Sequence, residues 1–391
     1  MDIFNFCGKI SLGKETEKFK PIERKDFTSG WTNTTVKFNC ISGTNRVLCV
    51  AQGGRWINDK KNTVKTFGKS TTDENGKVTK GEAIDIPWSK RFDTDQIEKV
   101  AGFRKYIVDT GDYKMRYKLQ DAIKAFEDGT ITDETIEEIG IDNIEDAKDA
   151  LEKSKAKRKE FVAEWDFAEY VAKLASSNKY KDSLFNISGN YEVQYNSEKD
   201  VFYTTYHVNR ITLAADGAES TTEMKVDFFY GEDVWDDSAL EETGKVNLTG
   251  WVSYRDGSLK KNGFKPMIIA VREEEKKLNA LKRKFEVEGD EIKQIGLTVN
   301  VIEGAERVEL TVDMLSDEDK EDLECGLVEW DDLKKAYGNS IIGDKMSEIR
   351  FASLTAKKNV PQDTIYHVED MNPAKAEDVV TDIFADDEDD L

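Results

Sequence analysis

Aromatic and basic side chains interleave through the first 118 residues in a pattern suited to gripping a flexible polyanion. Trp31, Lys37, Arg46, Arg55, Trp56, Lys65, Phe67, Lys90 and Arg91 make a first set; Arg104, Tyr106, Lys114, Arg116 and Tyr117 make a denser second one. Cations track phosphates while aromatic faces stack unpaired bases, each stack being worth about 1–3 kcal/mol. These are the candidate contacts to a single nucleic-acid strand. Phe38 alternates with Val36 and Cys40 and reads as core instead, whereas Trp31, Trp56 and Tyr106 adjoin turns or cations and read as exposed. Tyr203, Tyr206, Arg210, Phe229, Tyr254, Arg255, Lys260, Lys261 and Lys265 form a thinner set further along, open to weak binding, packing or self-association.

Charge segregates in the same way. The 391 residues carry a formal charge of −22, yet residues 1–118 hold 23 Lys+Arg against 15 Asp+Glu, a net of +8. Residues 184–312 hold 16 against 24, and residues 362–391 hold 1 against 11. An acidic chain normally repels phosphate, because affinity scales with the cations presented to it. A basic block removes that objection locally, and an acidic tail can then compete for the basic site.

These residues must be positioned by strands. Val36–Cys40 alternates apolar and polar, Ser42–Asn45 is a turn cluster, and Arg46–Ala51 is a second strand broken by Gly53-Gly54; further strands are predicted at 64–67, 83–88 and 103–108. The period turns helical between about 117 and 180, with helices predicted at 119–126, 133–139, 144–159 and 161–174. Strands return at Leu184 and run to about Val271, most clearly at 203–213, 224–230, 246–254 and 267–271, and further strands are predicted at 295–302 and 308–312. Helices follow at 317–325 and 330–337, then a strand at 349–354. From Gln362 the chain is polar and acidic and reads as disordered.

Ile3-Phe4-Asn5-Phe6-Cys7-Gly8 matches Leu184-Phe185-Asn186-Ile187-Ser188-Gly189. Thr34-Thr35-Val36 matches Thr204-Thr205-Tyr206, and the spacing to Trp56 and to Trp235 is similar, so the two β regions read as copies; two unrelated sheets sharing turn chemistry is the alternative. The fold class is therefore mainly β with α insertions: two five-stranded barrels of oligonucleotide-binding type rather than an immunoglobulin sandwich. The predicted organisation is a basic module over 1–118, a helical insert over 119–183, a second module over 184–312, a small α/β segment over 313–361 and a disordered acidic tail over 362–391.

Catalytic signals fail on inspection. Gly68-Lys69-Ser70 ends like a phosphate-binding loop, but the required earlier glycine is Thr63. Two histidines and four scattered cysteines, Cys7, Cys40, Cys49 and Cys325, make neither a zinc framework nor a His-dependent triad. Asp85, Asp109 and Asp227 are the passable acids for a metal nuclease. The expectation is a non-enzyme with no cofactor and no metal, cytoplasmic, with no membrane contact and no leader for secretion.

The tail joins Ile383-Phe384 to the acids Asp386, Asp387, Glu388, Asp389 and Asp390 before Leu391. Such a segment can occupy a basic groove or dock a partner through its aromatic residue. With this tail, the stretches Met1–Ile10 and Gly30–Asn39 make the chain similar to bacteriophage-encoded single-stranded-DNA-binding proteins of replication and recombination. The resemblance implies sequence-nonspecific coating of single strands in the infected bacterial cytoplasm. It also implies recruitment of replication or recombination proteins through the tail. The chain departs from bacterial members, which end on Pro-Phe after the acids. Two other readings stand beside this one: a virion or assembly protein, and an acidic inhibitor of a nucleic-acid enzyme.

Overall fold

The computed structural model describes residues 3–72, 76–256, 259–287, 289, 291–307, 310–337, 342–355 and 366–374. The architecture is mainly β with helical insertions, and fifteen of the described strands share one mixed sheet.

Within that sheet the pairings close two five-stranded rings. In the first, β1 (Ile3–Leu12) pairs through its second half with β3 (Trp31–Ser42), which forms a hairpin with β4 (Asn45–Trp56) and is flanked by β2 (Ile22–Asp26). β3 alternates without a break: Thr32, Thr34, Val36, Phe38 and Cys40 turn inward and the odd-numbered residues outward. The short β5 (Thr63–Phe67), β6 (Thr71–Thr72), β7 (Val78–Thr79) and β8 (Ala83–Pro87) form two small satellite ribbons, β5 with β8 and β6 with β7. Helix α1 (Thr94–Lys99) and strand β9 (Tyr106–Asp109) follow. Helices α2 (Tyr113–Glu127), α3 (Asp133–Ile139) and α4 (Ile144–Ala156) pack around a core of their own that includes Leu119, Ile123, Ile139 and Leu151. Strand β10 (Arg158–Phe161) then pairs with β9, and helix α5 (Glu164–Ala175) lies against β3 and β4. The ring is completed by β11 (Phe185–Asn196), antiparallel to β1, and β12 (Val201–Leu213), which runs parallel to β4 with Tyr206 opposite Cys49.

The second ring repeats this order. β13 (Thr221–Tyr230) meets β15 (Val246–Arg255), which forms a hairpin with β16 (Asn262–Val271); the two-residue β14 (Trp235–Asp236) and helix α6 (Leu240–Thr243) precede that hairpin. After helix α7 (Glu275–Lys282), strand β17 (Glu291–Arg307) returns beside β13. Helices α8 (Asp317–Glu324) and α9 (Trp330–Tyr337) lead to β18 (Ile342–Leu354), antiparallel to β17 and parallel to β16; β19 (Tyr366–His367) pairs with the start of β17. The rings are joined through their first strands, Ile3–Cys7 of β1 lying antiparallel to Thr221–Lys225 of β13. One hydrophobic core runs through both, from Phe4, Phe6, Phe38 and Ile187 to Phe228, Leu248, Ile269 and Val299.

This topology corrects the reading of the repeat. Ile3–Gly8 and Phe185–Gly189 are neighbours in one ring, paired with Phe6 opposite Ile187, and are not equivalent strands of two rings. They look alike because both line the same core. Each also carries a glycine where it passes under a hairpin strand: a Cβ at Gly8 would collide with Ile41 and one at Gly189 with His207. Ring membership accordingly crosses the sequence blocks, since the first ring draws on 185–213 and the second extends to 354.

Other corrections are local. β4 continues through Gly53-Gly54, which are small because the α5 backbone at Glu164–Trp165 lies on Gly53 and the Trp31 ring on Gly54. Helix α4 stops at Ala156, and Phe161 ends a strand, because the chain pairs with β9 before entering α5. Residues 308–309 of the predicted 308–312 strand lie outside the described residues, and Val312–Met314 is a 3-10 turn. Residues 366–374, read as disordered, are packed: Tyr366 sits between Phe229 and Phe264, Met371 is buried, and the Ala374 N–H donates to the Tyr254 hydroxyl.

Candidate nucleic-acid interface

The outer face of the β3–β4 hairpin gathers four of the predicted contacts. Register places Trp31 opposite Trp56, Lys37 opposite the buried Val50 and Arg46 opposite Ile41; the four predicted contacts lie on the side away from Phe38 and Cys40. At the strand rise of about 3.3 Å per residue the face runs roughly 33 Å from Trp31 to Ile41. Between its ends lie Asn33, Thr35, Gln52 and Asn39, with the exposed Leu48 opposite Asn39.

The aromatic end is held firmly. Trp31 and Trp56 are half-buried and meet edge to face, ring centroids 5.4 Å apart at 79°. Asn62 accepts from the Trp56 N–H and donates to the Trp56 carbonyl, both at 2.8 Å, so the tryptophan backbone is clamped. The Lys61 ammonium stands 5.3 Å from the Trp56 ring centroid. Exposed Phe27 and Ile57 border the pair, tied by backbone bonds from Phe27 to Trp31 and from Ile57 to Gly30. Lys25 lies 5.0 Å over Phe27. Among the described residues no carboxylate pairs with Lys25, Lys61 or Arg46, which leaves those charges available to an anion. Phe27, Ile57, Lys25 and Lys61 were missed from sequence; the Gly30 turn beside Trp31 was the signal that its loop neighbours would share the rim.

β5 leads from this end to a second cluster. Thr63, Lys65 and Phe67 point outward, and the Arg104 guanidinium lies 5.0 Å from the Phe67 ring and 5.3 Å from that of Phe103. Phe103 is 69% exposed, a large ring to leave in water. A third group sits at a cavity of about 280 Å³ between α2, β10 and β12, where Tyr113 and Tyr117, one helical turn apart, stand exposed beside Arg158. Lys114 is exposed next to them, and Lys90 is exposed on the turn after β8.

Four predicted contacts are committed inside the protein instead. Arg91 makes a two-pronged bond to Asp166 at 2.7 and 3.2 Å, donates to the Trp88 carbonyl and lies over the Trp88 ring. Arg116 grips Asp109 at 2.9 Å through both terminal nitrogens. Burial works to raise the Asp109 carboxyl's pKa, but Arg116, the Gly111 amide and Arg158 outweigh it and hold the group below its usual range. The Tyr106 hydroxyl donates to Glu164 at 2.6 Å and its ring packs on Phe167; burial first, then that carboxylate, push the phenol's pKa up. Arg55 pairs with Asp59 at 2.8 Å and lies over Trp165. Lys37 is an intermediate case, with Glu23 at 3.8 Å. The tail residues Ile383, Phe384, Asp386, Asp387, Glu388, Asp389, Asp390 and Leu391 lie outside the described residues.

Tyr206 of the first ring and Phe229 and Tyr254 of the second are buried. Among the described residues no group of three His, Cys, Asp or Glu is placed to hold a metal, and no helix is long and apolar enough to cross a membrane.

No protein-family model matches the chain, and no curated protein matches it. Among solved structures it is similar to a deletion mutant of the single-stranded DNA binding protein from Thermus aquaticus, with 7% identity over 93% of this chain and 98% of that one, at a TM-score of 0.29. A likeness so low in identity and score establishes neither a shared fold nor a shared ligand.

Proposed function

We propose that the protein binds single-stranded DNA without sequence preference, along the outer face of the β3–β4 hairpin. The observation that carries this reading is the clamped Trp31–Trp56 pair, set on one face with Lys61, Lys37 and Arg46 and opening toward the Phe67–Arg104 cluster. Rings offer stacking to bases of any kind, and cations not already spent on carboxylates offer counterion release. The ring order, a three-strand meander whose third strand runs parallel to the fifth, supports reading each ring as an oligonucleotide-binding barrel, whose second and third strands form the binding face.

The bacteriophage origin, the roles in replication and recombination and the cytoplasmic location rest on the resemblance alone. The tail is assigned two jobs, competing for the basic face through its acids and docking partners through Ile383-Phe384. Fluorescence anisotropy with a labelled strand of about 30 thymidines and with a duplex, at two salt concentrations, tests the central claim. Salt-sensitive preference for the single strand supports it; equal or absent binding defeats it.

A further inference from the structure

A cavity of about 360 Å³ lies on the seam between the rings and is lined only by strand residues, among them Phe202, Thr204 and Tyr206 of the first ring with Lys265, Met267 and Ile268 of the second. Lys265 reaches across the seam, its ammonium donating to the Thr204 hydroxyl at 2.7 Å. Among the described residues no carboxylate pairs with it. Glu303, the acid among the lining residues, accepts from the Ser347 hydroxyl at 2.8 Å. A largely buried ammonium bonded to one neutral hydroxyl is unfavourable on its own, because buried charges are ordinarily paired. Burial accordingly lowers its pKa.

The cavity continues into a more open groove through the shared residues Ile268, Ser347 and Ile349. There Lys245, Arg272 and Arg350 converge on the single carboxylate of Glu348 at 3.6, 3.7 and 3.0 Å, leaving positive charge in excess. A strand residue rises about 3.3 Å, so Arg272, one residue past the end of β16, stands roughly 23 Å along the chain from Lys265. The second ring lies in an acidic stretch of sequence, yet Lys265 lines the cavity and Lys245 and Arg272 line the groove that adjoins it.

We infer that the seam is a second nucleotide-binding site, in which Lys265 and Thr204 hold a phosphate of the bound strand, aromatic walls receive the adjoining base, and Lys245 and Arg272 carry the strand onward. This rests on the reading of the protein as a single-strand binder, and extends it from one ring to both.

The test compares the full chain with Lys265→Met and Lys265→Arg, using a 30-thymidine strand, thymidine monophosphate and inorganic phosphate as probes. Lys265→Met is expected to weaken strand binding roughly tenfold and to flatten the salt dependence by about 0.7 in the log–log slope. Its melting temperature should hold or rise, since a lone buried charge is gone. Lys265→Arg should keep most of the affinity. Unchanged strand affinity in Lys265→Met, with Trp56→Ala still weakening it, overturns the seam site and leaves the hairpin face standing. Failure of the unmodified chain to bind the strand defeats the parent reading instead. A Lys265→Met effect confined to the monophosphate or to phosphate would make the seam a free-nucleotide site, and one confined to an added 375–391 peptide would make it the tail's dock; either overturns the proposal. A fall in melting temperature without loss of binding reduces Lys265 to a structural residue.

Discussion

The two rings share strand order and direction but differ in what covers their hairpins. In the first, the outer face of β3–β4 leaves Trp31 and Trp56 half in water with cations beside them. In the second, Trp251 of β15 is packed in a cluster with Phe229, Phe264 and Met371, and the chain itself returns over that region through Tyr366 and Asn372. One topology thus yields an open aromatic platform in one copy and a self-covered one in the other. The cover and its charge, rather than the ring, distinguish the two hairpin faces, as is general for widely used folds.

The comparison breaks most severely if the shared strand is damaged. Phe4 and Phe6 are fully buried and meet Tyr206 at 5.4 and 5.2 Å, on the strand that joins both rings. Phe6→Ala should cost about 3–5 kcal/mol and lower the melting of both rings together in a calorimetric scan; a lone shift of one transition would show the rings to be independent. Next in size, Asp109→Asn should cost roughly 3 kcal/mol by stranding Arg116. Because the Asp109 pKa is depressed in the folded state, its stabilisation is present above the unfolded carboxylate value near 3.9 and is lost as pH falls through the lower folded value. Acid titration of the variant should lack that part of the loss.

Smaller effects sharpen the contrast between the faces. Trp56→Ala should weaken strand binding by about 1–3 kcal/mol with little loss of stability, whereas Trp251→Ala should lower the melting temperature and leave affinity alone. Reversal of those outcomes would exchange the roles of the rings. Arg46→Ala should remove about 0.7 from the salt slope, measured by anisotropy across a salt series. Deleting 378–391 should tighten binding modestly at low salt only, and no change there would sink autoinhibition by the tail.

Alternation made most strands legible: the buried Phe38 and the β3–β4 hairpin follow from period two alone. Ring closure was not legible, because β11 and β12 join β1 and β4 across more than a hundred intervening residues and no local pattern announces a partner. The same distance disguised two neighbours as a repeat. Among the candidate residues, Trp31, Trp56, Phe67 and Arg104 were picked by composition near turns, and the structure leaves each at least partly exposed. Arg91, Arg116 and Tyr106 are tied by ion pairs or a hydrogen bond to acids distant in sequence or on the other side of a turn, Asp166, Asp109 and Glu164, which no local pattern announces.

The late arrival of β11 and β12 also has a temporal side. A ribosome adding about 5–20 residues per second would need roughly eight to thirty seconds to go from the end of β4 to the end of β12. For that interval the Cys49–Val50 edge of β4 has no partner from its own ring, in a nascent chain whose helical insert can already fold on its own core. An unpaired edge of this kind invites pairing with other chains. The moment of greatest vulnerability for this protein is therefore its own synthesis, and slowing of translation within 57–184 is where aggregation would begin.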